Sequence, residues 1–416
     1  MDDRRSVKMK INLQKINYFY IAFVILWLPI NLAFLNIDGK GRIPAIITTL
    51  VLILNTLHDN QFYKKHFLAR PFYLWLIWII YNGINLLIKG FNHETSLGLY
   101  IITTLFIPYL SMIISYKEIQ RDKTKFLNFT VVILVIFSLL SVTVLGKGEL
   151  TDSDANLEVQ RVSGKLGNIG PLISLFILFF LSLLYIIKKK RLETLIIFTI
   201  YIIGVVALSG TRKAIGAVML ILLASYLAKI KFTFKNILAT IFISLVLSFG
   251  YNYVMENTAL GVRFEKGIAD GQKANTSNIE ALNFLGDRAF FYIDGWMIFT
   301  ENPLSGIGLE NYTSVSKNNY RLHTEYIVQL TETGLIGTSL FFLFNFSIGK
   351  RLISTWKKYK NRRSEVWGLS GGFLAILFLG LTAWTYSFPH YFIVFGVIIG
   401  FLETIRREEE RNEILY

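Results

Sequence analysis

Three side chains in this sequence have the types and settings for chemistry on an anion: Arg212, Arg288 and His323. Arg212 stands in the turn Ser209-Gly210-Thr211-Arg212-Lys213 between two apolar runs. A helix-end arginine can simply snorkel to the head groups. The turn is too short to need a charge, however, and Gly210 lets the backbone bend and approach a ligand. The planar guanidinium fork suits a phosphate, which it grips through two hydrogen bonds at once. Arg288 follows Asp287, a natural cap for a helix starting there. Arg288, Tyr292, Gly295, Trp296 and Phe299 then fall on one helical stripe, as in an amphipathic helix lying on a bilayer. An anion at its start would meet the guanidinium and the free N–H groups of the first turn. The simpler reading is a capped helix with surface charges. Asn302-Pro303 stops that helix, and Gly306 and Gly308 predict a compact turn leading to Asn311.

His323 precedes a further apolar run. An interfacial histidine is often a hydrogen-bonded spacer; its value as a base is a pKa near 6.5, roughly neutral. Thr324 has the chemistry of an N-cap for the next helix. Inside it Glu325, Gln329 and Glu332 share a face. Glu332 should lie roughly 10 Å along the axis, where an ionisable group faces protein or water. Glu325 and Glu332 could equally be packing links between helices. An earlier segment, Arg161 to Asn168, brings another arginine to the edge of an apolar run after an acidic stretch.

The elements that must position these groups are membrane helices. Hydrophobic residues make up 53%, aromatics 15% and charged residues 17% of the 416 residues, with mean hydropathy +0.49. Soluble domains carry about a quarter charged residues. About twelve apolar runs of membrane-spanning character recur: 16–35, 43–57, 72–88, 98–115, 126–145, 169–187, 194–208, 214–228, 236–255, 326–346, 367–385 and 388–403. About 29 of the 43 Lys and Arg fall in the tails and the even-numbered connections. That bias predicts cytoplasmic N- and C-termini and explains the net charge of +15. The basic residues form no stripe, so nucleic-acid binding is not expected. The basic N-terminus reads as a retained first helix, since no small-x-small cleavage site follows it. There is no cysteine, hence no thiolate chemistry. The five histidines stand far apart with no i, i+4 ligand pair, so no metal is expected. The chain reads as a single all-α polytopic domain, 1–416, with a long extracytoplasmic loop, 256–325, between the ninth and tenth predicted spans.

The order Arg288, Trp296, Pro303-Leu304-Ser305-Gly306-Ile307-Gly308, His323-Thr324-Glu325-Tyr326, Glu332-Thr333-Gly334-Leu335-Ile336-Gly337 resembles the O-antigen ligase/polymerase superfamily. This superfamily includes the Wzy-type polysaccharide polymerases and the lipopolysaccharide ligases. The Arg212 turn looks like its second arginine motif. Arg161 to Asn168 looks like an earlier one, although Ile169-Gly170 stands where Pro-Asn is usual.

The resemblance implies a GT-C-like glycosyltransferase of the bacterial cytoplasmic membrane, its active site facing the periplasm or exterior. The donor would be a glycan on undecaprenyl diphosphate, handled without metal or other cofactor. Arg212 and Arg288, with Arg161, would bind the diphosphate, and His323 would be the general base. Tyr292, Trp296, Asn311, Glu325 and Tyr326 would contact substrate. Gly210, Gly306, Gly308, Glu332, Gly334 and Gly337 would shape the motif. A chain-length regulator and a flippase are the implied protein partners, and membrane lipids surround the whole. The His-Thr-Glu-Tyr form and the Arg212 turn favour the polymerase branch over the ligase. A transporter of lipid-linked sugars would also explain twelve helices and outward arginines, but no matched interrupted segments occur in the two halves.

Overall fold

The computed structural model describes residues 12–31, 42–58, 70–91, 96–141, 169–188, 192–209, 212–229, 289–316, 322, 324–381, 383 and 385–415. Arg161, Gly210, Arg288, His323, the predicted span 236–255 and much of the 256–325 loop lie outside the described residues, as does the side chain of Arg212.

The described residues are helical, with no strand among them. Twelve helices are labelled here: α1 (Leu13–Ile30), α2 (Arg42–His58), α3 (Arg70–Lys89), α4 (Leu97–Arg121), α5 (Lys123–Leu139), α6 (Gly170–Lys188), α7 (Leu192–Ser209), α8 (Arg212–Lys229), α9 (Ala289–Glu301), α10 (Glu325–Lys358), α11 (Arg363–Gly380) and α12 (Pro389–Leu415). Helices stand at eleven of the twelve expected spans; α9 is the additional one, inside the expected outer loop. Six helices (α1, α3, α4, α6, α10 and α12) are long and apolar enough to cross a membrane. The chain is an all-α membrane protein.

Local chemistry explains several boundaries. Asp122 caps α5 by accepting from the Lys125 N–H at 2.9 Å. Within α4 the Ile107 N–H reaches back five residues to the Ile102 carbonyl, giving a π-helical stretch over Ile101–Phe106. Pro108, which has no N–H, follows at once.

Packing rests on small residues where backbones approach. Gly396 and Gly400 of α12 lie against the Met112 and Tyr116 carbonyls of α4. Gly368 and Gly372 of α11 receive Ile186 and Phe179 of α6. Gly371 meets Ala224 and Ile221 of α8. An aromatic cluster joins α3 to α10 and α12, with Trp75 beside Phe344 and Phe392 at ring distances of 4.9 and 4.8 Å. Where α11 begins, Arg362 is clasped by Glu365, Glu408 and Glu409 at 3.0, 3.0 and 2.9 Å.

Candidate active site

Helix α10 is broken. Its expected span is one apolar helix, but Gly334 takes φ 63° and ψ −169°, outside helical values. A break strands the carbonyls that end the first half and the N–H groups that start the second. The turn after α9 answers both. Ile307 and Gly308 donate their N–H groups to the Thr331 and Glu332 carbonyls at 3.1 and 2.8 Å. Leu335 and Ile336 donate theirs to the Pro303 and Leu304 carbonyls at 2.8 and 3.2 Å. The turn therefore stands in for the missing helical bonds.

This docking explains the glycines. Gly306 and Gly308 have φ of 65° and 92°, a region that favours glycine. A Cβ on Gly306 would strike the backbone of Glu332, with the Gly334 nitrogen at 2.7 Å. A Cβ on Gly334 would lie 2.5 Å from the Gly306 nitrogen. The Glu332 carboxylate accepts from the Glu310 N–H at 2.9 Å, so it links helix to turn. Glu310 itself is a non-glycine residue at φ 61°. Gly337 admits Tyr81, whose ring would sit 2.9 Å from an added Cβ.

Helix α3 braces the same unit. The Tyr81 hydroxyl donates to the Thr333 carbonyl at 2.8 Å, and the Asn85 amide to the Ser305 carbonyl at 2.8 Å. Asn311 is buried and donates to the Gly90 and Ile307 carbonyls at 3.0 and 2.9 Å. Sequence reasoning missed Trp78, Tyr81 and Asn85, although polar groups within an apolar run were the available signal.

Helix α9 packs on α10 at Gly295. An added Cβ there would collide with Ile327, and the Thr331 hydroxyl donates to the Gly295 carbonyl at 2.9 Å. Further on, Pro303 pairs with Leu335, so α9 and the first half of α10 run in the same direction. The expected bilayer-lying stripe is thus corrected. Gly295 and Phe299 of that stripe are buried in protein, while Trp296 remains 54% exposed. The Asp294 carboxylate accepts from the hydroxyls of Tyr312 and Ser316. Burial and the adjoining Asp294 charge hold the Tyr312 phenol above its ordinary pKa.

Glu325 begins α10, and Thr324 caps it as expected, accepting from the Ile327 N–H at 3.3 Å. Glu325 is fully buried. One carboxylate oxygen accepts from the Thr385 N–H, the Thr385 hydroxyl and the Tyr386 N–H at 2.5, 2.9 and 3.1 Å. The other accepts from Gln329 at 2.8 Å, and Gln329 in turn accepts from the Trp78 indole at 3.1 Å. The expected common face of Glu325 and Gln329 is therefore real, and it binds helices together.

Three helix starts converge on the last turn of α11. Tyr326, the second residue of α10, donates its hydroxyl to the Leu377 carbonyl at 2.7 Å. Tyr292, the fourth residue of α9, donates to the Leu381 carbonyl at 2.6 Å. Gly216, in the second turn of α8, accommodates the Phe378 ring. The positive ends of three helix dipoles thus meet at one end of the bundle, a setting suited to an anion.

Residues 197–342 match the family model described as O-antigen ligase. No curated protein matches the chain. The matched residues begin in α7 and include α8, α9, the docked turn and the break in α10, which are the elements whose starts converge. The match supports the likeness of residues 197–342 to the O-antigen ligase/polymerase superfamily.

Proposed function

We propose that this protein joins oligosaccharide repeat units carried on undecaprenyl diphosphate, at the outer face of the bacterial cytoplasmic membrane. The observation that carries this reading is the convergence of the α8, α9 and α10 starts on Leu377–Leu381. Arg212 opens α8, Arg288 immediately precedes α9, and His323 immediately precedes the Thr324 cap. Consecutive Cα atoms are about 3.8 Å apart, so each chemical group is tethered closely to a converging element.

In this proposal the diphosphate is the leaving group. Arg212 and Arg288, with Arg161, neutralise it as the glycosidic bond breaks, helped by the helix N-termini. His323 takes the proton from the acceptor hydroxyl as that oxygen attacks the anomeric carbon. Guanidinium charge does the work a divalent metal would otherwise do. Tyr292, Asn311, Glu325 and Tyr326 bond within the protein and position the site, which leaves the exposed Trp296 as an aromatic surface for glycan. The proposal also takes the chain as one polytopic, GT-C-like domain of twelve spans with both termini cytoplasmic. The 256–325 loop, which includes α9, is then extracytoplasmic. The Lys229 end of α8 and the Lys357-Lys358 end of α10 lie opposite the convergence, which agrees with positive-inside orientation.

A second reading is supported by the matched family's description: transfer of the finished glycan to a lipid A–core sugar. Purified protein given lipid-linked repeat units alone separates the two. A ladder of longer glycans supports polymerisation, and product only after adding a core acceptor supports ligation. New glycosidic bonds formed in detergent, without compartments, exclude transport as the sole activity. Full synthesis by both Arg288→Ala and His323→Ala, at normal protein levels, would overturn the mechanism.

A further inference from the structure

A groove of about 1060 Å³ runs along the seam between α10 and α11. Its α10 wall is one helical stripe: Phe342, Phe346, Gly349, Ile353 and Lys357, with Lys350 and Lys358 beside it. Phe373 and Leu377 form the α11 wall. Phe342, Phe346 and Ile353 are 48%, 68% and 58% exposed, so a large apolar surface is left for a hydrocarbon chain.

Lys357 and Lys358 stand at one end of the groove, and Lys350 about two turns further along it. Lys350, Lys357 and Lys358 are exposed, and no acidic residue lines the groove. Glu365, Glu408 and Glu409 pair with Arg362, and Glu403 with Arg406 and Arg407, while Glu410 and Glu413 lie near enough to act on Lys358 by charge. None of the ion pairs among the described residues uses the three lysines. From Lys357 to Phe342 the helix rises about 22 Å at 1.5 Å per residue, and Tyr326 and Leu377 line the groove's far end.

We propose that this groove is a site for one anionic glycerophospholipid of the inner leaflet. Its phosphate is held by Lys350, Lys357 and Lys358, and its acyl chains lie over Phe346, Gly349, Ile353 and Phe373. A basic pocket at the cytoplasmic end of two membrane helices is the physical pattern for anionic head groups.

The test places the full-length protein in nanodiscs of phosphatidylcholine with increasing phosphatidylglycerol, and measures retained lipid by native mass spectrometry and Tm by fluorescence. Wild type should retain phosphatidylglycerol selectively and gain Tm with it. Lys350→Gln/Lys357→Gln/Lys358→Gln should weaken that retention roughly five-fold or more, the scale expected for even one basic residue near an anionic surface. Gly349→Leu should also displace the lipid by filling the groove; an added Cβ there meets only Phe373, at 3.5 Å, so the fold tolerates it. A photo-crosslinker replacing Phe346 should capture lipid. Equal phosphatidylglycerol retention by wild type and the triple lysine variant would overturn the proposal. So would crosslinking of position 346 to residues 236–255 or to a second copy.

Discussion

The Tyr292 hydroxyl of α9 donates to the Leu381 carbonyl at 2.6 Å, four residues beyond the Leu377 carbonyl that Tyr326 of α10 holds at 2.7 Å. Two helices from one stretch of sequence are thereby pinned to the same turn of α11. The chemistry proposed above depends on that shared anchor. In the sequence Arg288 stands one residue before α9 and His323 two residues before α10.

The anchor can be weakened without touching the proposed catalytic groups. Tyr292→Phe and Tyr326→Phe each remove one hydroxyl and leave a carbonyl unpaired, a cost of about 1 kcal/mol apiece. Each should lower Tm in detergent slightly. The double variant should lose glycan synthesis more than either single change. Undiminished activity in the double variant would show that the anchors do not position the site.

Glu325 should be among the least replaceable residues. Glu325→Ala leaves the Thr385 and Tyr386 N–H groups and Gln329 without their acceptor, a loss on the order of 3 kcal/mol for a buried network of this kind. Lower Tm and lower membrane yield are the expected readouts. Glu325→Gln keeps one acceptor oxygen and should recover part of the stability.

The glycine pair at the break predicts a sharp contrast. Gly306→Ala and Gly334→Ala each add a Cβ at positive φ and drive it into facing backbone. The conformational strain alone is on the order of 1–3 kcal/mol. Gly349→Ala, in open helix, should be neutral or slightly stabilising, since alanine favours helix by about 1 kcal/mol over glycine. Thermal melts of the three variants decide the point.

How legible this was varies by element. The apolar runs marked eleven helices, because in a membrane every backbone polar group must be satisfied within its segment. Thr324 announced the start of α10, and Pro303 with Gly306 announced the turn. The break at Gly334 was invisible. Leu335 and Ile336 continue the apolar pattern across it, and a positive φ leaves no trace in hydropathy. Its partner strand of backbone, Pro303 to Gly308, is also about thirty residues distant, beyond any local pattern. Gly295 falls on a stripe that the sequence presents as bilayer-facing, because a helix crossing and a lipid face look alike without the neighbouring helix.

For the chemistry itself, Arg288→Ala and His323→Ala should each reduce glycan formation by about 100-fold or more with Tm unchanged, the range seen when a positioned acid, base or oxyanion donor is lost. If His323 acts as base it must be neutral. Activity should then rise with pH through about 6.5 and level off above it. Arg288→Lys keeps the charge but loses the bidentate fork, so it should recover only part of the rate.

The most direct measurement is a distance. The chain has no cysteine, so spin labels can be placed at Arg288→Cys with His323→Cys, and at Arg212→Cys with Arg288→Cys, without background. Packed helices lie roughly 10 Å apart, which with label linkers predicts pulsed-resonance distances within about 20 Å for both pairs. A distance at or beyond the hydrocarbon thickness of about 30 Å for either pair would contradict a common site.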